Sequence, residues 1–426
     1  MKLWDKGLTI DQKIEQFTVG NDREADLYIA KYDVQASLAH AKMLHEVNIL
    51  SRKELTMLET GLKKLAIQIK EGTFVIEPMF EDVHSKIEFE LTKEFGEVGK
   101  KIHTARSRND QVLVALQLYY KESLLEIKKE VNILFNTLLL IAEKYKNNLI
   151  PGYTHLQVAM PSSIGLWVSA YAELLIDDVS MLNAAIKIID QNPLGSAAGY
   201  GSSFPIDRNF TTRCLQFETL KYNVIAAQLS RGKNERFITG VLGGICNTLS
   251  RFAMDICLYN SQNFNFISFP EELTTGSSIM PHKKNPDVFE LIRGKCNKIQ
   301  ALQTEILLVT NNLPSGYHRD FQLLKENMIL AVAEVKSILT IFTYAIQQMI
   351  IKEVDLNEEK YQHLFTVDSI NNLVMEGMPF REAYQKIGKE VKNNTYEPNT
   401  NKKHTHIGSV HNLCLDKIKI KMKGVL

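Results

Sequence analysis

The segment TGSSIMPHKKNP at residues 275–286 combines a hydroxyl group with several cations on what reads as a loop. Ser277 follows a glycine, and Lys283 and Asn285 lie within ten positions of it. Glycine opens backbone conformations that other residues avoid, and the two prolines keep the segment out of a helix. A hydroxyl beside cations suits acid/base chemistry on a small anion. A solvated surface loop is the alternative interpretation.

Three further polar segments fall at similar joints, and Glu290 follows the first loop. HTARSRNDQV begins the longest predicted helix, whose N-terminus favours anions. PGYTHLQVAMP carries a histidine, and LPSGYHRDFQLLKE carries a phenol, an amide and an ammonium. The alternatives are a helix cap with solvated arginines and a structural histidine. The candidate side chains in these segments are Arg108, Asn109, Thr154, His155, Tyr317, Gln322 and Lys325.

Motifs for several other chemistries are missing from the sequence. GSAAGYG at residues 195–201 is rich in glycine but lacks the lysine of a phosphate-binding loop. The sequence has neither a GxSxG elbow nor an HExxH zinc motif. What remains predicts a site without metal or cofactor, in which hydroxyls, a histidine, carboxylates and cations act on a small anionic substrate.

The composition narrows the class of protein. The chain has 426 residues, with 50 Lys and Arg against 49 Asp and Glu, so no basic excess supports a nucleic-acid partner. Five cysteines stand singly, which favours reduced thiols. The N-terminus has no apolar core of signal-peptide length, and no uninterrupted apolar run approaches the ~18 residues of a membrane helix. We therefore expect a cytoplasmic protein without a membrane partner.

Long stretches at helical spacing separate these joints. They predict helices over 107–150, 161–191, 234–263, 287–313 and 321–353. We expect an all-α fold: an elongated bundle of five long helices at 105–353, a small helical N-terminal domain at 1–104 and a small C-terminal domain at 354–426. Several helices are apolar around much of their circumference, which favours assembly with other copies over a monomeric solenoid.

Four of these segments together resemble one enzyme family. GSSIMPHKKNP resembles the signature of the fumarase/aspartase superfamily of lyases. HTARSRNDQV, PGYTHLQ, the KKNP variant and YHRDFQLLK resemble its argininosuccinate lyase branch, and EDVHSKIE, FPIDR and GMPFREAYQKIG extend the likeness from about residue 80 to 390. The resemblance implies an all-α homotetramer with a 20-helix core, in which three subunits build each active site.

The resemblance also implies the chemistry. The branch cleaves a C–N bond by anti elimination and releases fumarate and arginine. By similarity, Ser277 is the base, Lys283 and Asn285 hold the developing charge, and His155 paired with Glu290 assists protonation of the leaving nitrogen, directly or through water. Arg108, Asn109 and Thr154 would bind the succinyl carboxylates. The amino-acid end would be held by Tyr317, Gln322 and Lys325.

The sequence departs from the family pattern in places. FTVGND at residues 17–22 stands where a serine-bearing, substrate-touching segment is usual, and SRGKNERF at 230–237 stands where an SDRDF-like element is common. Val158 and Met160 take positions that are often polar. Two alternatives stay open: another fumarate-releasing lyase of the superfamily, with an adenylosuccinate-like substrate, or a non-catalytic structural relative.

Overall fold

The computed structural model describes residues 12–398 and 403–426, and it confirms the all-α class. The α-helices are α1 Gln12–Val19, α2 Asp22–Glu46, α3 Arg52–Lys70, α4 Val83–Phe95, α5 Glu97–Lys100, α6 Arg108–Lys144, α7 Ile164–Ile189, α8 Arg208–Cys214, α9 Val224–Leu229, α10 Lys233–Asn260, α11 Asp287–Val309, α12 Gln322–Gln347, α13 Thr366–Met375, α14 Phe380–Lys392 and α15 Leu415–Lys423. Short 3₁₀ helices occupy Lys101–His103, Glu271–Leu273, Arg319–Phe321 and Glu359–Phe365.

Within the described residues, six short strands pair into two-stranded sheets. They are β1 Leu149–Thr154, β2 Gln157–Ser163, β3 Gln191–Asn192, β4 Thr219–Leu220, β5 Ile267–Ser268 and β6 Ile350–Ile351. The pairs β1–β2 and β5–β6 are antiparallel, and β3–β4 is parallel. These strands were not predicted, because four of them are only two residues long and both β1 and β2 contain a proline.

The five predicted long helices are present as α6, α7, α10, α11 and α12. Helix α6 ends at Lys144 and not at Ile150, because the chain enters β1 at Leu149. Segment 151–161 was predicted as a joint, yet most of it lies in a β-hairpin. The C-terminal ends of α11 and α12 fall four and six residues short of their predicted limits, at Val309 and Gln347, as expected for fraying helix ends.

The described chain forms two compact units. The first comprises residues up to 128, 181–244 and 298–336, and the second comprises 129–180, 245–297 and 337–426. The predicted division into domains at residues 104 and 353 stays a prediction. The first eleven residues of the predicted N-terminal domain lie outside the described part of the chain. Two helical stretches, Val224–Asn260 and Arg319–Gln347, are long and apolar enough for a membrane span by length and composition alone, and 44% and 56% of their most apolar windows are buried in protein.

The first unit packs its N-terminal helices closely. Ser51 caps α3 by accepting a hydrogen bond from the backbone of Glu54, whose side chain bonds back to Ser51. Gly61 lets α4 approach, since a methyl group there would lie 2.6 Å from Leu91 and 2.7 Å from Phe95. The start of α4 is bound to α2 by a hydrogen bond of 2.9 Å from the Val83 backbone N–H to Asp26, where the candidate site begins.

The second unit has an aromatic core. The rings of Tyr171 and Phe252 stack at 4.1 Å, and Phe342 packs against Phe252 at 5.2 Å. Asp255 accepts hydrogen bonds from Tyr171 at 2.6 Å and from Trp167 at 3.0 Å, so the polar edges of these rings are satisfied. This core supports the β1–β2 hairpin and the ends of α10 and α11 that flank the Ser277 loop.

Candidate functional site

A charged cavity of about 170 Å³ lies in the first unit. It brings together five of the eleven predicted site residues with eight others. Its lining is Asp22, Asp26, Glu81, Asp82, His84, Arg108, Asn109, Val112, Arg231, Tyr317, Arg319, Gln322 and Lys325. Residues distant in sequence therefore converge on one space that carries both carboxylates and cations.

The starts of α4 and α6 meet at one wall of this cavity. Asp82 caps α4 by accepting a hydrogen bond from the Ser85 backbone at 2.8 Å. Arg108, at the first position of α6, lies 3.0 Å from Glu81 and 3.2 Å from Asp82. Burial alone would raise the pKa of Asp82, but the charges of His84 and Arg108 and the capping bonds bring it below its ordinary value.

Lys325 is almost fully buried between two carboxylates. Its ammonium donates to Asp26 and lies 2.8 Å from Asp22. Asp26 also accepts the Val83 backbone N–H at 2.9 Å. Burial lowers the pKa of Lys325, yet the charges of Asp26 and Asp22 outweigh it and the pKa is raised. Lys325 is therefore charged and held in place.

Two side chains of the cavity are bound to the end of α1. Gln322 donates its amide to the Thr18 carbonyl at 2.9 Å and to that of Val19 at 3.3 Å. Arg319 donates to the same Thr18 carbonyl at 2.9 Å and to Glu81 at 2.9 Å. The amide of Gln322, predicted to hold substrate, thus also ties the chain preceding α2 to the start of α12.

His84, which lines the cavity, is paired with the buried carboxylate of Asp33. His84 and Asp33 are 2.9 Å apart, with side chains 3% and 0% exposed. Burial lowers the pKa of His84, but the charge and hydrogen bond of Asp33 outweigh it, so the pKa is raised. Arg106 donates to Ser37 at 2.9 Å and lies 3.7 Å from Asp33. This layer fixes the direction of α4 and of the residues before α6.

The glycine-rich segment 195–201 serves the start of α6. Asp110 accepts hydrogen bonds from the backbones of Ser107 at 2.9 Å, Gly195 at 3.0 Å and Ala197 at 3.0 Å. Gly195 has a φ of +86°, and a methyl group there would lie 2.8 Å from Arg208. The backbone N–H groups of Gly195 and Ala197 are therefore occupied by a carboxylate. This agrees with the prediction, made from the missing P-loop lysine, that the segment does not bind a phosphate.

In the second unit, Thr154 and His155 lie at the tip of the β1–β2 hairpin. Thr154 pairs with Gln157, so His155 and Leu156 form a two-residue turn with φ values of +54° and +58°. Such turns strongly favour asparagine and glycine, which explains why the sequence did not signal a hairpin here. Positive φ values are uncommon for histidine and leucine, so the backbone at this exposed tip is strained.

The Ser277 loop is a small closed structure in the second unit. Thr275 and Asn285 bridge its base through backbone bonds of 3.3 and 2.8 Å, and the Asn285 amide donates to the Gly276 carbonyl at 3.2 Å. Ser277 Oγ accepts hydrogen bonds from the backbone N–H groups of Ile279 at 3.3 Å and Met280 at 3.2 Å. Lys283 is exposed on this loop, and Glu290 is exposed in the first turn of α11.

The predicted site residues thus fall into three groups. Those in the cavity of the first unit are Arg108, Asn109, Tyr317, Gln322 and Lys325. In the second unit, the β1–β2 hairpin carries Thr154 and His155. The Ser277 loop and the first turn of α11 carry the third group: Ser277, Lys283, Asn285 and Glu290. The pairing of His155 with Glu290 stays a prediction. Within residues 12–398 and 403–426, no group of three or more His, Cys, Asp or Glu side chains is arranged to hold a metal.

Sequence reasoning did not assign roles to several residues of the cavity. His84 lies in EDVHSKIE and Arg319 in YHRDFQLLK, segments that carried the family resemblance without individual roles. Asp22 and Arg231 lie in the two segments that depart from the family pattern. Only that departure could have drawn attention to them.

Comparison with known proteins places the chain in a family. A family model described as a lyase matches residues 7–301. An argininosuccinate lyase of Bacteroides thetaiotaomicron is 51% identical over 425 residues, covering 100% of this chain and 95% of that protein. An argininosuccinate lyase of Thermotoga neapolitana is 42% identical over 91% of this chain and 98% of its own length.

Solved structures share the fold at low identity. The 3-carboxy-cis,cis-muconate lactonizing enzyme of Pseudomonas putida superposes with a TM-score of 0.75 at 15% identity over 97% of both chains. EDDS lyase in complex with formate gives 0.72 at 22% identity, over 98% of this chain and 85% of that one. These structures establish the architecture alone, whereas the two argininosuccinate lyases are 51% and 42% identical to this chain. The chain is a lyase and belongs to the argininosuccinate lyase family.

Proposed function

We propose that the protein cleaves argininosuccinate into fumarate and L-arginine by anti elimination, the last step of arginine biosynthesis. The observation that carries this proposal is the 51% identity to an argininosuccinate lyase over 425 residues of the chain. The intact Ser277 loop and the mixed-charge cavity supply the chemical groups that this elimination requires.

Ser277 is the proposed base. A hydroxyl becomes basic only if its alkoxide is stabilised, and hydrogen bonds to the charged form do this. The N–H groups of Ile279 and Met280 already donate to its Oγ, which supports that role. Lys283 adds positive charge on the same loop. The proton comes from the carbon next to a succinyl carboxylate.

The other predicted residues divide the remaining work. Removal of the proton leaves a carbanion that is delocalised into the carboxylate as an enediolate, which Lys283 and Asn285 stabilise. The C–N bond then breaks, its electron pair leaves with the guanidino nitrogen, and His155 with Glu290 supplies a proton to that nitrogen. Arg108, Asn109 and Thr154 bind the succinyl carboxylates. The amino-acid end lies toward Tyr317, Gln322 and Lys325.

We infer that the active protein is a homotetramer whose sites are shared between subunits. The hairpin tip exposes Leu156 at 69%, and the loop exposes Ile279 at 83%. The main support is the family membership, together with the distribution of the proposed site residues over the cavity, the hairpin and the loop. In the proposed assembly, the cavity of one subunit is completed by the hairpin and the Ser277 loop of two others.

We place the enzyme in the cytoplasm, the compartment of a soluble biosynthetic lyase. All five cysteines fall within the described residues, and none of them forms a disulfide bond there. Cysteines stay reduced in a reducing compartment.

The test is release of fumarate, followed by its ultraviolet absorbance after argininosuccinate is added. We expect Ser277→Ala to lower kcat by about 10²–10⁴-fold, the range typical of a lost general base. Ser278→Ala is the matched control, because its hydroxyl lies one position away on the same loop. Adenylosuccinate is tested in parallel. Fumarate from adenylosuccinate but not from argininosuccinate, or from neither, would reject the proposal.

A further inference from the structure

The two segments that depart from the family pattern meet at one place. Asp22 ends the FTVGND segment and Arg231 lies in SRGKNERF, and both line the cavity that contains Lys325. They are more than two hundred positions apart in sequence. Their convergence indicates that the departures belong together and change how this part of the cavity recognises a ligand.

The first observation is an imbalance of charge. Lys325 contributes one positive charge, and it is shared by Asp22 and Asp26. Asp26 is fully buried, and its two oxygens bind Lys325 and the Val83 backbone N–H. The side chain of Asp22 is 18% exposed, and within the described residues its ion pair with Lys325 uses Oδ1. The group of three therefore carries a surplus negative charge, and its accessible part is Asp22.

The direction in which the pKa of Asp22 is shifted agrees with this geometry. Burial raises the pKa of Asp22, and the charge of Asp26 raises it further, against the opposing effects of Lys325 and Arg231. A carboxylate in this position is stabilised by one more cation. A ligand ammonium that enters the cavity would supply it.

The second observation is a fixed guanidinium nearby. Arg231 is 7% exposed and donates through Nη2 to the Phe321 carbonyl at 2.9 Å. Its Nε lies 3.2 Å from Glu235, without the geometry of a hydrogen bond to any described group. Glu235 is itself anchored by the Gly232 backbone at 2.7 Å. A planar guanidinium held in this way is suited to a carboxylate.

We propose that Asp22 binds the α-ammonium and Arg231 the α-carboxylate of the arginine part of the substrate. Lys325 is then a positioning residue that holds Asp22. The site accepts a free, zwitterionic α-amino acid end and discriminates against N-acylated or decarboxylated forms. This assignment rests on the proposed function, because it presumes that the cavity receives the arginine part.

The test measures binding of three ligands by calorimetry. They are L-arginine, agmatine, which keeps the amine and lacks the carboxylate, and Nα-acetyl-L-arginine, which keeps the carboxylate and lacks the ammonium. Asp22→Asn should weaken L-arginine and agmatine at least about 10-fold, the loss expected for one charge-assisted hydrogen bond, and leave acetylarginine unchanged. Arg231→Lys should weaken L-arginine and acetylarginine by a similar factor and leave agmatine unchanged.

Matched controls separate recognition from folding. Glu24→Gln removes an exposed carboxylate from the same first turn of α2, and Arg236→Gln removes an exposed guanidinium from the first turns of α10. Neither should change binding of the three ligands. Lysine at position 231 keeps a positive charge beside Glu235. Asp22→Ser serves as the second variant at position 22. Thermal melting checks that each variant is folded.

Two outcomes would overturn the assignment. If Asp22→Asn weakens all three ligands equally, Asp22 binds the guanidinium and not the ammonium. If neither variant alters the order of the three affinities, the cavity does not read the amino-acid end through these residues. Failure of the proposed function gives a different result: wild-type protein that releases no fumarate from argininosuccinate, whatever the binding pattern.

Discussion

Subunits carrying Ser277→Ala, mixed with subunits carrying His155→Asn, should recover activity that neither variant has alone. The two side chains lie on separate elements of the second unit, the loop before α11 and the tip of the β1–β2 hairpin. If each active site takes these elements from different subunits, some mixed sites contain both native residues. Asparagine is chosen at position 155 because it tolerates the φ of +54° found there.

The size of the recovery follows from random assembly. The subunit that supplies the loop has native Ser277 in half of the sites, and the subunit that supplies the hairpin has native His155 in half. An equal mixture should therefore reach about a quarter of wild-type activity if the closed oligomer forms at random. If both residues came from one chain, every site would contain a defect and the recovery would be nil.

A matched pair on one loop provides the control. Ser277→Ala mixed with Lys283→Ala should stay inactive, because both positions lie on the loop closed by the Thr275–Asn285 bridge and always enter a site together. The variants are co-expressed or unfolded and refolded together, and release of fumarate is measured. Native mass spectrometry confirms that mixed oligomers formed. Mixed oligomers with no more activity than their parents would refute the shared site.

Three further predictions concern the scaffold. His84→Gln should destabilise the protein by about 3 kcal/mol at pH 6, because it leaves the buried Asp33 without its main partner. The folded-state pKa of His84 is raised above its ordinary 6.5, so this stabilisation is complete below pH 6.5 and fades as the pH rises through the folded-state pKa. Urea unfolding at several pH values measures the stability difference between wild type and variant. A difference that grows with pH would contradict the charge pair. Asp110→Asn should lower the free energy of unfolding by about 2 kcal/mol or more, since an amide cannot accept all three backbone hydrogen bonds. Urea unfolding at neutral pH and proteolysis at residues 195–201 monitor this loss. An unchanged unfolding midpoint would argue against the role of Asp110 in holding this segment. Gly99→Ala should lower the free energy of unfolding by about 1–3 kcal/mol, because its methyl group would lie 2.3 Å from a backbone oxygen. Gly388→Ala, in open space on α14, should stabilise the protein slightly. Melting temperatures measure both effects, and equal shifts for the two variants would contradict the packing at Gly99.

The long helices and the segments that carry the family resemblance were readable from the sequence. Helical periodicity and the punctuation by glycine and proline are local signals, so α6, α7, α10, α11 and α12 were predicted with small errors at their ends. The β1–β2 hairpin was missed, since His155 and Leu156 take positive φ values that their residue types do not announce. Family membership also followed from sequence alone, because the four segments keep their order and spacing.

The tertiary structure decided which charges face each other. Lys325 was predicted to hold substrate, but its partners Asp22 and Asp26 lie some three hundred positions earlier, and the bond to Asp26 spans 299 residues. The same folding brings Arg231 to that cavity and His84 to Asp33. A local pattern reports whether a residue lies on a helix or in a loop. The partner of a buried charge depends instead on how distant helices pack, and only the folded chain determines it.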